Sequence, residues 1–415
     1  RRPEGVAFGS PRIHDSDEIL AIERIPASMT ILGAGVIGCE YACMFAALGV
    51  AVDLVDSRAE ILPFLDAEIR EHLERAMVGL GIRLRQPHRW GAIADVGDGV
   101  TVELGDGSTL KNEDLLFAAG RVGNTFDLGL DSVGLAANGR GHLEVDEGYR
   151  TAVPHVLAVG DVIGFPALAS TSMEQGWVAV CHAFGFDYKR EVHATLPYGI
   201  YTIPEVSCVG LTEAEAEAAG TAHVVGRARF GDNARGQIQG DAEGMLKLVV
   251  DAESRTLLGV HVIGERASEL VHLGQAAMLM GATVDLFIDM VFNFPTLSEA
   301  YKYAAYDALS PAMRQFLSGL RARHDFAVNT KVGFSLEVID EHDLEGANAA
   351  VHPVVRTHGD TGRRCLFVNP GNTSYLEGLE PRESASLLEF IYRHCSQPEF
   401  IYRHRWSGND LVIWD

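Results

Sequence analysis

The stretch MTILGAGVIGCEYACMFAALGVAVDLVD, residues 29–56, holds a short β-rich run, closely spaced glycines, a helix of small residues and a second β-rich run ending on an acid. Gly33, Gly35 and Gly38 stand as G-x-G-x-x-G in the strand-to-helix context that gives this spacing a mechanism. Gly33 allows the tight turn, Gly35 lets the backbone approach a pyrophosphate, and Gly38 lets helix and strand pack closely. The helix N-terminus offers unpaired N–H groups to the phosphates. Asp56 ends the second strand, where a carboxylate accepts hydrogen bonds from an adenosine ribose and favours NAD. Arg58 follows within the same loop and is placed to reach a 2′-phosphate, which leaves NADP open. A bare glycine triad is often a simple turn; strand, triad, helix, strand and acid together predict a nucleotide site.

Outward from this unit, 415 residues suffice for two to four domains with sizeable cores. The formal charge of -23, with no run of Lys or Arg, argues against nucleic acid or an anionic membrane as partner. An anionic ligand therefore needs a local site. The segment from Met29 to Val50 is apolar, but its glycines and Glu40 speak against a membrane span. No apolar run follows the two arginines that open the sequence, so no signal peptide is expected. Six sparse cysteines form no disulfide framework and fit a reducing cytoplasm. Cys39 and Cys43 sit four apart on the first helix and are expected to pack in the core rather than bind metal.

Two further stretches have ligand-facing character. LLFAAGRVGNT is a buried strand running into Gly120 and Arg121, a strand end of the kind that approaches ligands in open α/β sheets. HVLAVGDVIGFPALASTSMEQGWVAVCHAF reads as a β run, Gly160-Asp161, a Gly/Pro loop and a long helix beginning near Ala169. Asp161 there serves either a polar ligand or a helix cap.

The segments GAGVIGCEYA, AAGRVGNT, LAVGDVIG, YGIYTIPEVSCVG and FNFPTLSEAY stand in the order found in the pyridine nucleotide-disulfide reductase superfamily. Over about residues 1–309 the chain resembles that superfamily, and within it the soluble, Si-specific NAD(P) transhydrogenases. The resemblance implies that Gly33, Gly35 and Gly38 hold the NAD(P) pyrophosphate, with Asp56 and Arg58 at the adenosine ribose. It implies that Glu40 lies near the nicotinamide and Gly120 beside the cofactor. Gly160 and Asp161 would meet the ribityl chain of FAD, and the backbone about Ala169 the flavin ring. Partners would be nicotinamide nucleotides and a second copy of the chain, in the cytoplasm.

Relatives of this kind also carry an FAD domain with its own glycine fingerprint. The chain is expected to lack that N-terminal FAD domain and to keep only a remnant FAD-binding segment. The thiol-reducing members place His before the Pro that here is Pro295, whereas this chain has Phe294. Phe cannot ionise, so thiol chemistry is disfavoured and hydride transfer between nicotinamide and flavin remains. Glu299, which would orient that His, is then structural. The alternative is an inactive nucleotide-binding chimera without flavin; a dihydrolipoyl dehydrogenase-like enzyme or an oxygenase ranks below both.

Ser310-Pro311 reads as a stop between helices, and the texture changes after it. HPVVRTHGDTGRRCLFVNPG and RHRWSGNDLVIWD resemble the taurine dioxygenase-like Fe(II)/2-oxoglutarate oxygenases over about residues 303–415. That family uses two His and a carboxylate on iron. No position of this segment matches those ligands, so no metal site is assigned, and His352 and His358 are expected to be surface or core residues. YAAYDAL, residues 303–309, suits both families and marks a fusion.

The expected fold class is thus α/β. A Rossmann-like NAD(P) domain with its lead-in takes 1–146, a second part of an FAD-binding domain 147–196, an α+β interface or dimerisation domain 197–308, and a partial double-stranded β-helix fragment 309–415.

Overall fold

The computed structural model describes residues 2–3, 5–241, 243–324, 350–357, 364–369 and 373–395. The chain is an α/β protein in three parts, as its composition of alternating runs predicts. The first part is built on strands β1 (Ile13–His14), β2 (Ser28–Leu32), β3 (Ala51–Val55) and β4 (Arg83–Arg85). A small antiparallel sheet follows, of β5 (Trp90–Asp95), β6 (Val100–Leu104) and β7 (Thr109–Asn112), before β8 (Asp114–Phe117) returns to the first sheet. The order β1-β8-β2-β3-β4 is parallel at every pairing. Covered on both faces, β2, β3 and β8 are buried along their length instead of alternating, save the first residues of β2 and β3, and the polar Thr30 and Asp53 among them are hydrogen-bonded by Asn112. Helix α1 (Val36–Ala47) follows β2, and α2 (Ala67–Gly79) follows β3. Ile69, Leu73 and Met77 recur at helical spacing on α2 and are fully buried, while Asp66 caps its start by accepting the Glu68 N–H at 3.1 Å.

A linking region carries helix α3 (Ala169–Phe184). The β run expected just before Asp161 is not a strand: only an isolated bridge joins Leu157 to Arg150, and residues Gly160–Ile163 form a single 3-10 turn. The pairing extends no further than this bridge: the Thr151 N–H donates to Val156 O at 2.9 Å and the Ala158 N–H to Tyr149 O at 3.0 Å, while the Val156 N–H closes a turn on Val153 O.

The second part is an antiparallel sheet, β9 (Tyr198–Ile200), β10 (Val206–Gly210), β11 (His223–Arg229), β12 (Met245–Asp251) and β13 (Leu257–Ile263), in the order β11-β12-β13-β10-β9. Short helices α4 (Glu213–Ala218) and α5 (Ala234–Gln239) lie between strands, and α6 (Ala267–Leu279), α7 (Asp285–Asp289) and α8 (Ala300–Gly319) follow. One core face of this sheet, through Ile200, Val206, Met245 and Ile263, belongs to the same apolar cluster as Leu62, Leu65 and Leu73 of the first part. The two parts therefore share a core, which opposes free rotation between them.

Helix α8 overturns one expectation: it runs unbroken through Ser310-Pro311, where a stop was read from the sequence. Its first half is anchored, with Ala300, Tyr301, Ala304, Ala305 and Ala308 buried against the sheet, and that anchorage outweighs the hydrogen bond that a proline removes. The third part follows. Strands β14 (Arg321–His324), β15 (Ala350–Pro353) and β18 (Thr373–Leu376) form one sheet and β16 (Val355–Thr357) with β17 (Arg364–Leu366) another. Helix α9 (Pro381–Cys395) covers them through Leu388 and Ile391. The turn expected between β16 and β17, with His358, lies outside the described residues.

Candidate functional site

The glycine turn has the geometry its spacing predicts. Gly33 follows β2 with φ +104°, and its N–H donates to Val55 O at 2.8 Å, tying the turn to the end of β3. A Cβ on Gly38 would sit 1.8 Å from Gly33 O, so helix and turn are in contact that only glycine permits. A Cβ on Gly35 would meet nothing within 4 Å, and no side chain caps α1 at this residue. Open space thus lies over the uncapped N-terminus of α1, the place where a pyrophosphate takes up helix N–H groups.

Asp56 directly follows β3, and its carboxylate is already engaged. Oδ2 accepts the Ala34 N–H at 2.7 Å and Arg58 Nη2 at 2.8 Å; Oδ1 accepts the Arg58 N–H at 2.8 Å and Nε at 3.0 Å. Four donors fill the acceptor sites of a carboxylate. Burial pushes its pKa up, but the Arg58 guanidinium and these N–H groups outweigh it and hold Asp56 below the usual carboxylate range. Asp56 therefore clamps the glycine turn to the end of β3. Arg58 is half-exposed and bridges that carboxylate to solvent.

Glu40, on α1, accepts the Tyr201 N–H at 2.8 Å, linking the nucleotide unit to the start of the second sheet. Burial raises its pKa, and this N–H works in the opposite sense. Gly120 lies just past β8, on the same sheet edge as the glycine turn, whose Gly33 faces Ala118 and Ala119.

Gly160 and Asp161 lie in the 3-10 turn, and Ala169 is the first residue of α3, where the sequence placed it. Asp161 caps no helix: its carboxylate pairs with Arg121 Nη2 at 2.9 Å, and the Gly160 N–H donates to Gln175 Oε1 at 2.7 Å. The structure thus joins the two loops read separately from the sequence, one through Arg121 and the other through Asp161. No side chain caps α3 either, so a second uncapped helix start lies beside this pair. Arg121 and Gln175 were missed as partners because neither contact is visible from local spacing.

Cys39 and Cys43 are buried and free; burial pushes the Cys43 thiol up to about 11 and Cys39 further still. Both are core residues, and among the described residues no group of His, Cys, Asp or Glu is arranged to hold a metal. His352 packs against His324 and Phe367 at ring-centroid distances of 5.4 and 5.2 Å. Glu299 is buried and accepts the Thr296 N–H at 3.0 Å in a capping box, a structural task.

A soluble pyridine nucleotide transhydrogenase of Mycobacterium bovis (strain BCG / Pasteur 1173P2) is 48% identical over 318 residues, 76% of this chain and 68% of that protein. The model for pyridine nucleotide-disulphide oxidoreductases matches residues 2–176, and that for their dimerisation domain residues 196–305. The chain belongs to the pyridine nucleotide-disulphide oxidoreductase family. Another relative, a soluble pyridine nucleotide transhydrogenase of Pseudomonas aeruginosa (strain LESB58), is 44% identical over 74% of this chain and 67% of its own length. Among solved structures of the family, LpdA from Mycobacterium tuberculosis has a TM-score of 0.68 at 28% identity, covering 74% of this chain and 66% of that one. The HOCl-induced flavoprotein disulfide reductase RclA from Escherichia coli has a TM-score of 0.70 at 26% identity, covering 74% and 70%. The chain thus spans about two thirds of the length of these relatives. The taurine catabolism dioxygenase TauD, TfdA family model matches residues 302–415.

One reading from the sequence is corrected by the match over residues 2–176. The N-terminal FAD domain is expected from the sequence to be missing, whereas the match over residues 2–176 indicates that the N-terminal dinucleotide-binding domain is present, with the parallel sheet, glycine turn and α1 inside the matched residues.

Proposed function

We propose that this chain is an FAD-linked oxidoreductase that passes hydride between NADPH and NAD, as the names of its transhydrogenase relatives suggest. The observation that carries the reading is the open, uncapped N-terminus of α1 over Gly35, backed by the Gly33–Gly38 contact. Gly33, Gly35 and Gly38 bind the nucleotide pyrophosphate, and Asp56 with Arg58 reads the adenosine ribose, the Arg58 guanidinium giving up a place on the carboxylate to a ribose hydroxyl. Glu40 and Gly120 flank the nicotinamide end. Asp161, Gly160 and the backbone at Ala169 form the flavin end, whose residues fit such a group: a half-exposed carboxylate beside a helix start that no side chain caps. Bound FAD would supply a ring that takes hydride from one nicotinamide and gives it to the other. Hydride transfer asks this chain for positioning and exclusion of water, not for a proton shuttle, which agrees with the non-ionisable Phe294.

The dimerisation-domain match supports a homodimer through the second sheet. A cytoplasmic place is supported by the relatives' designation as soluble, and among the described residues no helix is long and apolar enough to cross a membrane. The division at residues 146, 196 and 308 is part of the same proposal.

The ribose assignment is tested by titrating NADH and NADPH into two variants. Asp56→Ala is expected to weaken NADH binding by about 1–3 kcal/mol, because a polar ribose group and the Ala34 N–H both lose their acceptor. NADPH weakens less, since the 2′-phosphate is relieved of a neighbouring carboxylate while Arg58 stays. Arg58→Ala loses NADPH selectively, and it leaves NADH near the parent value. Parent-like binding of both nucleotides by both variants would remove Asp56 and Arg58 from the site.

A further inference from the structure

Far from the glycine turn, a charged side chain lies in the middle of a buried strand. Lys247 is on β12, whose residues Met245–Val250 are all buried, and it is 2% exposed. Its Nζ donates to Asp66 Oδ1 at 2.8 Å and to Glu213 Oε2 at 2.6 Å, with Glu68 Oε2 at 3.3 Å. Asp66 and Glu68 belong to the start of α2 in the nucleotide-binding part; Lys247 and Glu213 belong to the second part. Arg227, opposite Lys247 on β11, donates from Nε to Glu68 at 2.7 Å. The Glu213 N–H reaches the other oxygen of Asp66 at 3.3 Å.

These groups belong to one cross-strand row. Register places Arg227 beside Lys247, Lys247 beside His261, His261 beside Cys208, and Cys208 beside Tyr198. Residues directly opposite one another share a sheet face. The face carrying this row meets the loop between β3 and α2: at one end Lys247 holds Asp66, and at the other Tyr198 lies against Phe64 with ring centroids 5.0 Å apart. On the same loop Ile61, Leu62 and Leu65 are buried. The same loop begins at Asp56 and Arg58, and its Leu62 N–H returns to Ala34 O of the glycine turn at 3.4 Å. One segment thus runs from the ribose end of the nucleotide site to a buried ammonium of the other domain.

We infer that Lys247 is a positioning residue for nucleotide recognition: by fixing Asp66 it sets the β3–α2 loop, and with it the placement of Arg58 and Asp56. The inference rests on the nucleotide reading proposed above and adds to it a determinant that lies outside the nucleotide-binding domain. Lys247 touches no nucleotide. Its effect appears in how well the ribose 2′ position is discriminated, since that is what the tethered loop presents.

The test uses the full chain in Asp66→Asn/Lys247→Met, where Asn keeps the cap on α2 and no buried charge is left from this pair, and in Asp66→Asn alone. NADH and NADPH are titrated by nucleotide fluorescence, with folding checked by circular dichroism. The double variant is expected to bind both nucleotides five- to tenfold more weakly and to shift the NADPH-to-NADH affinity ratio at least threefold. Asp66→Asn is expected to move the ratio in the same direction by less, and Lys247→Arg to restore it towards the parent. A purely structural role would lower the melting temperature and leave the ratio in the folded variants unchanged, and that result overturns the inference. If the double variant does not fold, an unchanged ratio in Asp66→Asn overturns it equally. A parent chain that binds neither nucleotide would overturn the nucleotide reading itself, a different outcome from parent binding with an unchanged ratio.

Discussion

Gly38→Val is expected to abolish measurable NADH and NADPH binding while the second domain stays folded. The Cβ alone would lie 1.8 Å from Gly33 O, a backbone atom that cannot rotate away, and valine adds two methyl groups to that overlap. Either α1 retreats from β2 or the turn opens, and overpacking of this kind costs about 1–3 kcal/mol or more. Retreat moves the α1 N-terminus from the place where phosphates would meet it, so binding suffers beyond the stability loss. Nucleotide titration at a temperature where circular dichroism shows native structure checks this. Parent-like affinity would mean that the helix start is not where the pyrophosphate sits.

Lys247→Met, made alone, is expected to produce the largest stability loss of any substitution considered. Removing one partner of a buried ion pair strands the other, at a cost of about 3–5 kcal/mol. Asp66, 2% exposed, would be left beside Glu68 and Glu213 without its ammonium. Neutralising Asp66 as well should recover more than half of that loss. Urea midpoints of the three proteins measure both effects, and equal midpoints for parent and Lys247→Met would show that the network adds nothing. pH gives an independent view. Burial pushes Asp66 and Glu68 up, but Lys247 and Arg227 more than reverse this, so both carboxyls titrate below their ordinary values. Their stabilisation is present above the unfolded carboxylate range and fades as pH falls through the lowered folded values. Lys247 has the opposite sign: burial lowers its pKa, but Asp66 and Glu213 more than reverse this, and its stabilisation is lost only as pH rises past the raised value. The parent should therefore lose domain-to-domain stability in acid, and the doubly neutralised variant should lose less.

Local patterns carried much of this fold, and long-range partnerships carried the rest. The glycine spacing with Asp56 was readable because each residue's task is set by neighbours a few positions away. Ala169 as the start of α3 followed from the Gly/Pro loop before it. By contrast, the apolar run before Asp161 resembled a strand, but its pairing with residues 149–151 stops at a single bridge before the 3-10 turn begins at Gly160. Pro311 looked like a break because sequence shows the lost hydrogen bond and not the sheet that anchors the preceding helix. The pairing of Asp161 with Arg121 joins loops distant in sequence, and no periodicity announces it. A lone lysine inside MLKLVV was a usable signal for the interdomain network, since a buried charge demands partners. The second half of the chain gave fewer such anchors, and its segment matching the TauD family contributes no residue to the site described.

The most direct test of the proposed activity is hydride transfer by the purified full chain, supplied with FAD, from NADPH to the thionicotinamide analogue of NAD. The absorbance of the reduced analogue reports the product. The account predicts turnover that requires FAD, saturates in both nucleotides and is lost in Gly38→Val. A chain that binds both nucleotides and FAD yet transfers no hydride at saturation would contradict it.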